Sequence, residues 1–319
     1  MTQIPLGSGG EFDRVRAIAA ALGDVMGPIG DDTASIPEGD GTLVVSVDAS
    51  VEDVHFRRGW LSHEEVGWRA TASALSDLAA AAATPVGVVA AVVVPRKAGQ
   101  EALVDVMRGV GAAASSVGAR VLGGDLTSGE EWAVVVTVFG RAIRPMSRAG
   151  AKPGDGVWVT GVIGGARAAL QAWTTSVEPD ADARHAFAHP VPRIGASQWL
   201  AGRGATALMD LSDGLGGDAE HLAAASGVQL QIELERLPLH ASVLSAARRI
   251  DEPPELFAAT AGEDYELLVT LPGGFDGAEE FARDNRLGLT RIGTVAAGAG
   301  VSATLRGAVR SVHGFRHAV

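Results

Sequence analysis

Hydrophobic positions along the chain follow two patterns. Residues 11–22 carry apolar side chains three or four positions apart, which predicts an amphipathic helix. The alanine-rich segment 63–83 and the segment 100–117 are also predicted to be helical. Short apolar runs bounded by turn residues predict strands at 42–48, 86–94, 119–122 and 132–142. The last run is almost continuously apolar, which is typical of a strand covered on both faces.

A segment rich in proline, glycine and charge, 145–155, interrupts this pattern. Beyond it, strands are predicted at 157–161, 206–211, 228–233, 265–271 and 290–295, alternating with helices at 164–173, 215–225, 240–249 and 277–285. This alternation predicts α/β or α+β layers in both halves. A chain of 319 residues favours two domains, 1–145 and 146–319, with a single large α/β domain as the alternative.

Composition narrows the class of partner. A net charge of −12 argues against nucleic acid or an anionic membrane and favours small molecules. The longest apolar run, 86–94, is too short for a membrane helix, and the N-terminus lacks a signal-peptide pattern, so a cytoplasmic location is expected. The chain contains no cysteine, which excludes thiolate metal sites and cysteine nucleophiles and leaves hard oxygen ligands.

Aspartate stands beside glycine or serine in four separated segments: Gly30-Asp31-Asp32, Leu75-Ser76-Asp77, Gly123-Gly124-Asp125 and Asp210-Leu211-Ser212-Asp213-Gly214. Asp48, at the end of an apolar run, adds a fifth position. Carboxylates that meet in a fold repel one another unless cations lie between them, so the pattern predicts a multi-magnesium site. Each aspartate alone could equally be a turn or cap residue. Asp77 is the strongest candidate, because it interrupts an otherwise apolar helix.

The usual glycine-rich nucleotide signals are missing. The chain contains neither a G-x-x-x-x-G-K-[ST] phosphate loop nor a G-x-G-x-x-G motif. If phosphates bind, they must be held by metal ions, arginines and helix N-termini. The start of the helix after Asp213 and Gly214 is one such place, where an ordinary N-cap is also expected.

Seven segments in order resemble the thiamine-monophosphate kinase family, within the superfamily that includes aminoimidazole ribonucleotide synthetase and selenophosphate synthetase. They are GDDTA (30–34), SVD with VEDVHF (46–48 and 51–56), ALSDLAA (74–80), GGD (123–125), SRAGAKPGD (147–155), MDLSDGL (209–215) and GEDYEL (262–267). The resemblance runs from about residue 10 to residue 315. It implies transfer of the γ-phosphoryl group of ATP to thiamine monophosphate with several Mg²⁺ ions.

The resemblance also implies the fold and the assembly. The expected fold is a two-domain aminoimidazole ribonucleotide synthetase-like fold, with an N-terminal α+β domain that binds metal and ATP and forms the dimer, and a C-terminal α/β domain packed beside it. Its N-terminal sheet would form a β-barrel at the interface of a homodimer, and ATP would lie between the domains. The apolar strands 86–94 and 132–139 give an independent reason to expect a partner, because such a sheet face is costly to leave in water.

The residues that match family sites divide into three groups. Expected metal ligands are Asp32, Ser46, Val47, Asp48, Asp77, Asp125, Asp210 and Asp213. Expected ATP contacts are Gly124, Asp125, Arg148 and Ser212, and expected substrate contacts are His55, Glu263 and Phe315. Asp48, Asp210 and Arg148 are expected to be catalytic. Two positions depart from the family, which often has threonine at Val47 and glycine at Ala261.

The expected acceptor is a phosphate monoester that is mostly dianionic at neutral pH, so no general base is required. Positioning and charge neutralisation would then dominate catalysis. Two alternatives remain open: another ATP-using enzyme of the superfamily with a different acceptor, and a non-catalytic protein that binds magnesium and nucleotide. Selenophosphate synthetase is disfavoured, because it normally needs cysteine or selenocysteine.

Overall fold

The structure is a computed structural model that describes residues 31–314 together with residues 13, 16 and 20. The helix predicted at 11–22 falls almost entirely outside the described residues, and Phe315 lies outside them. Among the described helices, none is long and apolar enough to cross a membrane.

Five strands of the first half form one sheet. They are β1 (Ala34–Glu38), β2 (Gly41–Val51), β3 (Thr84–Pro95), β4 (Arg120–Gly129) and β5 (Ala133–Ala142). Their order is β1-β2-β5-β3-β4, with β3 and β4 parallel and the other neighbours antiparallel. Two helices, α1 (His63–Ala80) and α2 (Gln100–Ser116), pack against each other, and α1 packs on β2 and β5. One face of the sheet is therefore covered.

A capping box stabilises the start of helix α1, and a glycine within it allows close packing against α2. Ser62 is the N-cap of α1 and forms a capping box with Glu65, in which each side chain bonds the other residue's backbone N–H. A Cβ at Gly67 would lie only 1.9 Å from the Val106 carbonyl oxygen of α2. Gly109 of α2 is equally close to α1, so both glycines permit the close helix contact.

Seven described strands of the second half form the other sheet. They are β6 (Gly156–Thr160), β7 (Ala207–Asp210), β8 (Gln229–Glu233), β9 (Leu267–Leu271), β10 (Leu289–Ala296), β11 (Gly300–Leu305) and β12 (Ala308–Arg310), in the order β12-β11-β8-β10-β6-β9-β7. The helices of this half are α3 (Gly165–Thr174), α4 (Ala181–Ala188), α5 (Ile194–Gly202), α6 (Leu215–Ser226), α7 (Val243–Arg249), α8 (Pro254–Ala259) and α9 (Ala278–Asn285). Its core lies between this sheet and its helices.

The structure corrects the predicted class of the second half. Among the described strands, β8 and β11 are the one parallel pair in this sheet, and all other neighbours are antiparallel. The fold is therefore α+β rather than α/β. Neither described sheet closes on itself.

Two predictions about the first sheet were wrong. Strand β5 does not have two equally covered faces, because buried and half-buried residues alternate along it. Strand β4 does not end at residue 122 but continues through Gly123, Gly124 and Asp125. The segment read as an acidic turn is thus the middle of a strand, where a Cβ at Gly124 would lie 2.0 Å from the Ala90 carbonyl oxygen of β3. Glycine permits this close strand pairing.

Helix α1 and the residues just before it contact the helices of the second half and so connect the two halves. Glu65 of α1 accepts two hydrogen bonds from Arg184 of α4, at 2.7 Å and 2.8 Å. Trp68 Nε1 donates to the carbonyl oxygen of Pro190 at 3.0 Å. Trp60, just before α1, stacks on Trp173 of α3 with ring centroids 4.9 Å apart. These contacts fix α1 relative to the second sheet.

Replacing Glu65 by alanine is expected to destabilise the fold by about 1–2 kcal/mol at pH 7, because it removes a capping partner and a bidentate ion pair. Burial alone would raise the pKa of Glu65, but hydrogen bonds from Arg184 and Ser62 lower it to about 2. The stabilisation is therefore present above the unfolded pKa and is lost as pH falls from about 5 toward 2.

Urea denaturation of the Glu65→Ala variant at several pH values measures this effect. Glu64→Ala is the matched control, since Glu64 is the exposed neighbour in the same first turn. A loss at pH 7 no larger for Glu65→Ala than for Glu64→Ala would contradict the prediction.

Candidate active site

Helix α1 presents a polar face in an otherwise alanine-rich sequence. Arg69, Ser73, Ser76 and Asp77 occupy positions i, i+4, i+7 and i+8, which lie on one side of a helix. All but Asp77 are buried, and Asp77 is half-buried. This face points toward residues contributed by both sheets.

Three carboxylates from different elements meet beside this face. Asp32 lies just before β1, Asp77 lies on α1, and Asp210 ends β7 of the second sheet. Their ligand oxygens all lie within 4.8 Å of one another. Three of the predicted metal ligands are thus brought together at the junction of the two halves.

The raised pKa values of Asp77 and Asp210 indicate that the carboxylates of the cluster repel one another when all are ionised. Burial, and then repulsion by Asp210 and Asp32, raise the pKa of Asp77 well above its ordinary value, although the Ser46 hydroxyl donates to Asp77 at 2.5 Å. Burial and repulsion by Asp32 raise the pKa of Asp210 to about 7. These shifts fit a site that binds divalent cations, since hard carboxylate oxygens suit Mg²⁺ and a cation would relieve the repulsion.

Arg148 supplies positive charge at the cluster. Its Nε donates to Asp32 Oδ2 at 3.1 Å and its Nη2 pairs with Asp32 Oδ1. Its backbone N–H donates to Asp31 Oδ1 at 3.2 Å. The Arg148 side chain is 15% exposed, so it reaches the edge of the site while it holds Asp32 in place. Nη1 is the terminal nitrogen not used by Asp32.

Asp48 and His55 flank the cluster on and just beyond β2. Asp48 is half-buried, and burial raises its pKa, while Ser73 and the Ala49 backbone N–H oppose the rise and Glu263 adds to it. Its charge also reaches Asp77 and Asp210, whose pKa values it raises. His55 Nδ1 accepts a hydrogen bond from the Val51 backbone N–H at 3.1 Å, which leaves Nε2 to carry the ring proton.

The segment after β7 forms the start of helix α6. Ser212 and Asp213 are half-buried, and Gly214 is the N-cap with φ of 99°. The N-cap predicted at Asp213 and Gly214 is confirmed at Gly214, although glycine provides no side-chain cap. A Cβ at Gly214 would lie 2.4 Å from the Ala261 carbonyl oxygen, so this turn packs against the segment that leads to Glu263.

Asp125, Val47 and Ala261, which the sequence also singled out, do not join the three-carboxylate cluster, and Phe315 lies outside the described residues. Asp125 is exposed on β4, and the cluster that the described residues form does not include it. Val47 is 61% exposed on the strand face opposite Ser46 and Asp48, so only its backbone could serve the site. Ala261 is fully buried, so its methyl group does not face open space. The role of Phe315 stays a prediction, although Gly314 lies against Gly217 at the start of α6.

Sequence reasoning missed several polar residues of the site. Ser73 and Ser76 lie near Asp48 and Asp210 and oppose the rise in the pKa values of these two carboxyls. Asp218 on α6 is almost fully buried, and burial followed by repulsion from Asp213 raises its pKa well above its ordinary value. The helical spacing of polar residues in α1 is the signal that could have identified the two serines.

Two family models of one known class of two-domain proteins match consecutive parts of the chain. The N-terminal domain of AIR synthase-related proteins matches residues 30–142, and the C-terminal domain of the same class matches residues 152–306. Together these regions cover most of the chain. They define it as an AIR synthase-related protein with a two-domain α+β fold.

Individual relatives indicate which family within this class the chain belongs to. A Mycobacterium tuberculosis protein named thiamine-monophosphate kinase is 36% identical over 257 residues, which cover 78% of this chain and 75% of that protein. An Aquifex aeolicus protein of the same name is 32% identical over 296 residues, covering 92% and 93%. A solved structure described as AaThiL complexed with AMPPCP and TMP has a TM-score of 0.86 at 31% identity and covers 97% of both chains. The chain belongs to the thiamine-monophosphate kinase family, which confirms the resemblance of its seven segments.

Proposed function

We propose that this protein transfers the γ-phosphoryl group of ATP to thiamine monophosphate and forms thiamine diphosphate and ADP. The observation that carries the proposal is the cluster of Asp32, Asp77 and Asp210 at the junction of the two sheets, with Arg148 beside it. Family membership supports the choice of substrates, since AMPPCP is an analogue of ATP and is bound together with TMP in a similar structure.

The carboxylate cluster is proposed to hold several Mg²⁺ ions. Asp32, Asp77 and Asp210 would form its centre, and Ser46, the Val47 backbone, Asp48, Asp125 and Asp213 would complete the ligand set. When bound, the ions supply positive charge that neutralises phosphate oxygens during transfer. The raised pKa values of Asp77 and Asp210 support this assignment, because the cluster is strained electrostatically without a compensating charge.

The other predicted residues are assigned to the two substrates. Arg148 would place its free terminal nitrogen on a phosphate oxygen of ATP while it keeps Asp32 oriented. Gly124 and Ser212 would contact ATP through the strand and the helix start on which they lie. His55, Glu263 and Phe315 would contact thiamine monophosphate. Asp48 interacts electrostatically with both sets of residues, since it raises the pKa values of Asp77 and Asp210 and its own pKa responds to Glu263 and His55.

Direct transfer follows from the chemistry of the acceptor. The acceptor is a phosphate monoester whose second pKa is about 6, so its attacking oxygen is already deprotonated at neutral pH. The residues of the site therefore need only bring two polyanions into line and exclude other geometries. We propose in-line transfer without a covalent enzyme intermediate.

Parallel assays with different acceptors test the proposed function. The protein would be incubated with ATP, Mg²⁺ and either thiamine monophosphate, thiamine or an aminoimidazole precursor, and the products identified by mass. Formation of thiamine diphosphate from thiamine monophosphate alone is expected. Turnover only with the aminoimidazole precursor would favour a different enzyme of the superfamily, and no turnover would favour a non-catalytic nucleotide-binding protein.

We further propose a homodimer in which the first sheets of two copies close a β-barrel. Strand β4 is exposed along nearly its whole length, and Leu122 and Leu126 are each 59% exposed on it. Val47 and Val86 add exposed apolar surface on the same sheet. Covering such a surface with a second copy would remove it from water. Sedimentation at micromolar concentration should show a dimer, and a monomer alone would contradict this assembly.

The two sheets are proposed to define domains at residues 1–145 and 146–319. Strand β5 ends at Ala142 and β6 begins at Gly156, so the proposed boundary falls in the connection between the two sheets. Arg148 lies in this connection, which places a site residue between the domains.

A further inference from the structure

The carboxylate of Glu263 is held on one side only. Its Oε2 accepts a hydrogen bond from the Tyr265 hydroxyl at 2.6 Å and pairs with Nη2 of Arg69. Among the described residues, no hydrogen bond reaches the other oxygen, Oε1. The side chain is 24% exposed, so one oxygen is bound by protein and the other can meet a ligand.

Contacts with Phe187 hold the guanidinium group of Arg69 in place beside Glu263. Its side chain is 3% exposed, and its Nη1 donates to the carbonyl oxygen of Phe187 at 2.5 Å. The guanidinium carbon lies 3.8 Å from the centre of the Phe187 ring. A buried guanidinium is costly unless it is paired, and its planar fork allows little freedom once two groups are bound. The ion pair therefore holds Glu263 in a defined orientation.

The backbone around Glu263 is constrained in the same way. Glu263 and Tyr265 both have left-handed backbone conformations, with φ of 70° and 51°. Their N–H groups donate to the carbonyl oxygens of Ser212 and Leu211, at 2.7 Å and 2.8 Å. Such conformations are strained for residues other than glycine and persist only where surrounding contacts enforce them. This turn brings the Tyr265 hydroxyl back onto the Glu263 carboxylate.

The pairing also changes the charge that the site presents. Glu263 lies close enough to Asp48 to raise its pKa, so an unpaired carboxylate here would add to the negative charge facing two polyanionic substrates. The buried guanidinium of Arg69 offsets that charge. Glu263 can then act as a hydrogen-bond acceptor without repelling the substrate phosphates.

We propose that Arg69 and Tyr265 are positioning residues that hold Glu263 Oε2 and present Oε1 to an N–H donor of the acceptor substrate. The inference rests on the proposed function, in which Glu263 contacts thiamine monophosphate. The N–H donor there is the amino group of the aminopyrimidine ring. Arg69 and Tyr265 act through Glu263 and do not touch the transferred phosphoryl group.

Replacing Tyr265 by phenylalanine removes one hydrogen bond and keeps the ring in place. The KM for thiamine monophosphate is expected to rise about 5- to 20-fold, because the carboxylate loses one of its two supports. The KM for ATP and kcat should change less than about twofold. Thr260→Val is the matched control, since the Thr260 hydroxyl bonds the side chain of Arg167 at 2.8 Å, away from Glu263.

A double-mutant cycle separates positioning from general damage. If Tyr265 acts through Glu263, the Tyr265→Phe/Glu263→Gln double variant should bind thiamine monophosphate no more weakly than Glu263→Gln alone. An Arg69→Lys variant, which keeps the charge but loses the fork, should show the same selective rise in KM. Additive losses, or equal effects on both KM values, would overturn the inference.

Wild-type protein in the same assay distinguishes a failure of the positioning roles from a failure of the proposed function. A wild type that forms thiamine diphosphate, together with additive variants, would reject the positioning roles and leave the proposed function intact. A wild type that forms no thiamine diphosphate would overturn the proposed function and the positioning roles with it.

Discussion

Replacing Asp210 by asparagine is expected to lower kcat by about 100- to 1,000-fold. Asp210 is buried at the end of β7 and is the member of the cluster that comes from the second sheet. The substitution keeps the shape of the side chain but removes a negative ligand shared by the proposed metal site. Asp48→Asn should have an effect of similar kind, because Asp48 is coupled electrostatically to the same carboxylates.

Stability measurements distinguish this loss from misfolding. Since Asp210 is repelled by Asp32 and Asp48, removing its charge should leave the metal-free fold at least as stable as the wild type. Asp276→Asn is the control, because Asp276 is exposed before α9 and remote in sequence from the site motifs. Steady-state kinetics at saturating Mg²⁺ provide the measurement. Near-normal kcat in both the Asp48 and Asp210 variants would show that the shared metal site is wrong.

The second large effect is a pH-dependent stabilisation by Mg²⁺. The pKa of Asp210 is raised by burial and by Asp32 to about 7, whereas an unfolded aspartate titrates near 3.9. Between about pH 4 and 7 the folded state therefore holds more protons than the unfolded state, so the metal-free fold loses stability as pH rises. Mg²⁺ should compensate the charge, and its stabilising effect should grow over the same range.

Thermal unfolding with EDTA or with Mg²⁺ at pH 5 and pH 8 measures this linkage. The gain in Tm caused by Mg²⁺ is expected to be larger at pH 8, and Asp77→Asn should reduce it. NaCl at equal ionic strength controls for nonspecific screening of the chain's net charge of −12. A Mg²⁺ effect that is the same at both pH values, or unchanged in Asp77→Asn, would contradict the assignment of the cluster.

The elements with strong periodic signals were predictable from sequence. Helix α1 was expected at 63–83 and ends at Ala80, with Ala82 in a left-handed conformation with φ of 50°. Strand β2 was expected at 42–48 and extends to Val51. In both cases the apolar pattern gave the element, and its end depended on backbone geometry that the pattern does not encode.

Strand β4 shows what local sequence could not reveal. Two glycines and an aspartate are typical of a turn, yet parallel pairing with β3 continues through all three residues. Long-range pairing overrode local preference, since Gly124 permits a close approach that a side chain would block. Strand β3, predicted at 86–94, likewise extends at both ends and includes Pro85 and Pro95.

Some residues of the candidate site could likewise be identified from the sequence, and others could not. Asp77 was identifiable because a carboxylate inside an apolar helix is costly without a partner. Arg69 was not, because a single arginine in a helix gives no sign that it will be buried against Glu263, 194 residues further along the chain. Family resemblance located Glu263, and only the folded arrangement shows what holds it.

An isotope-transfer experiment tests directly whether the protein transfers the terminal phosphoryl group of ATP to thiamine monophosphate. The protein would be incubated with thiamine monophosphate, Mg²⁺ and ATP whose terminal phosphoryl oxygens carry ¹⁸O, and the products would be analysed by mass spectrometry. We expect thiamine diphosphate that carries the labelled terminal phosphoryl group, together with unlabelled ADP. Consumption of ATP with all of the label in inorganic phosphate, and no thiamine diphosphate, would contradict it.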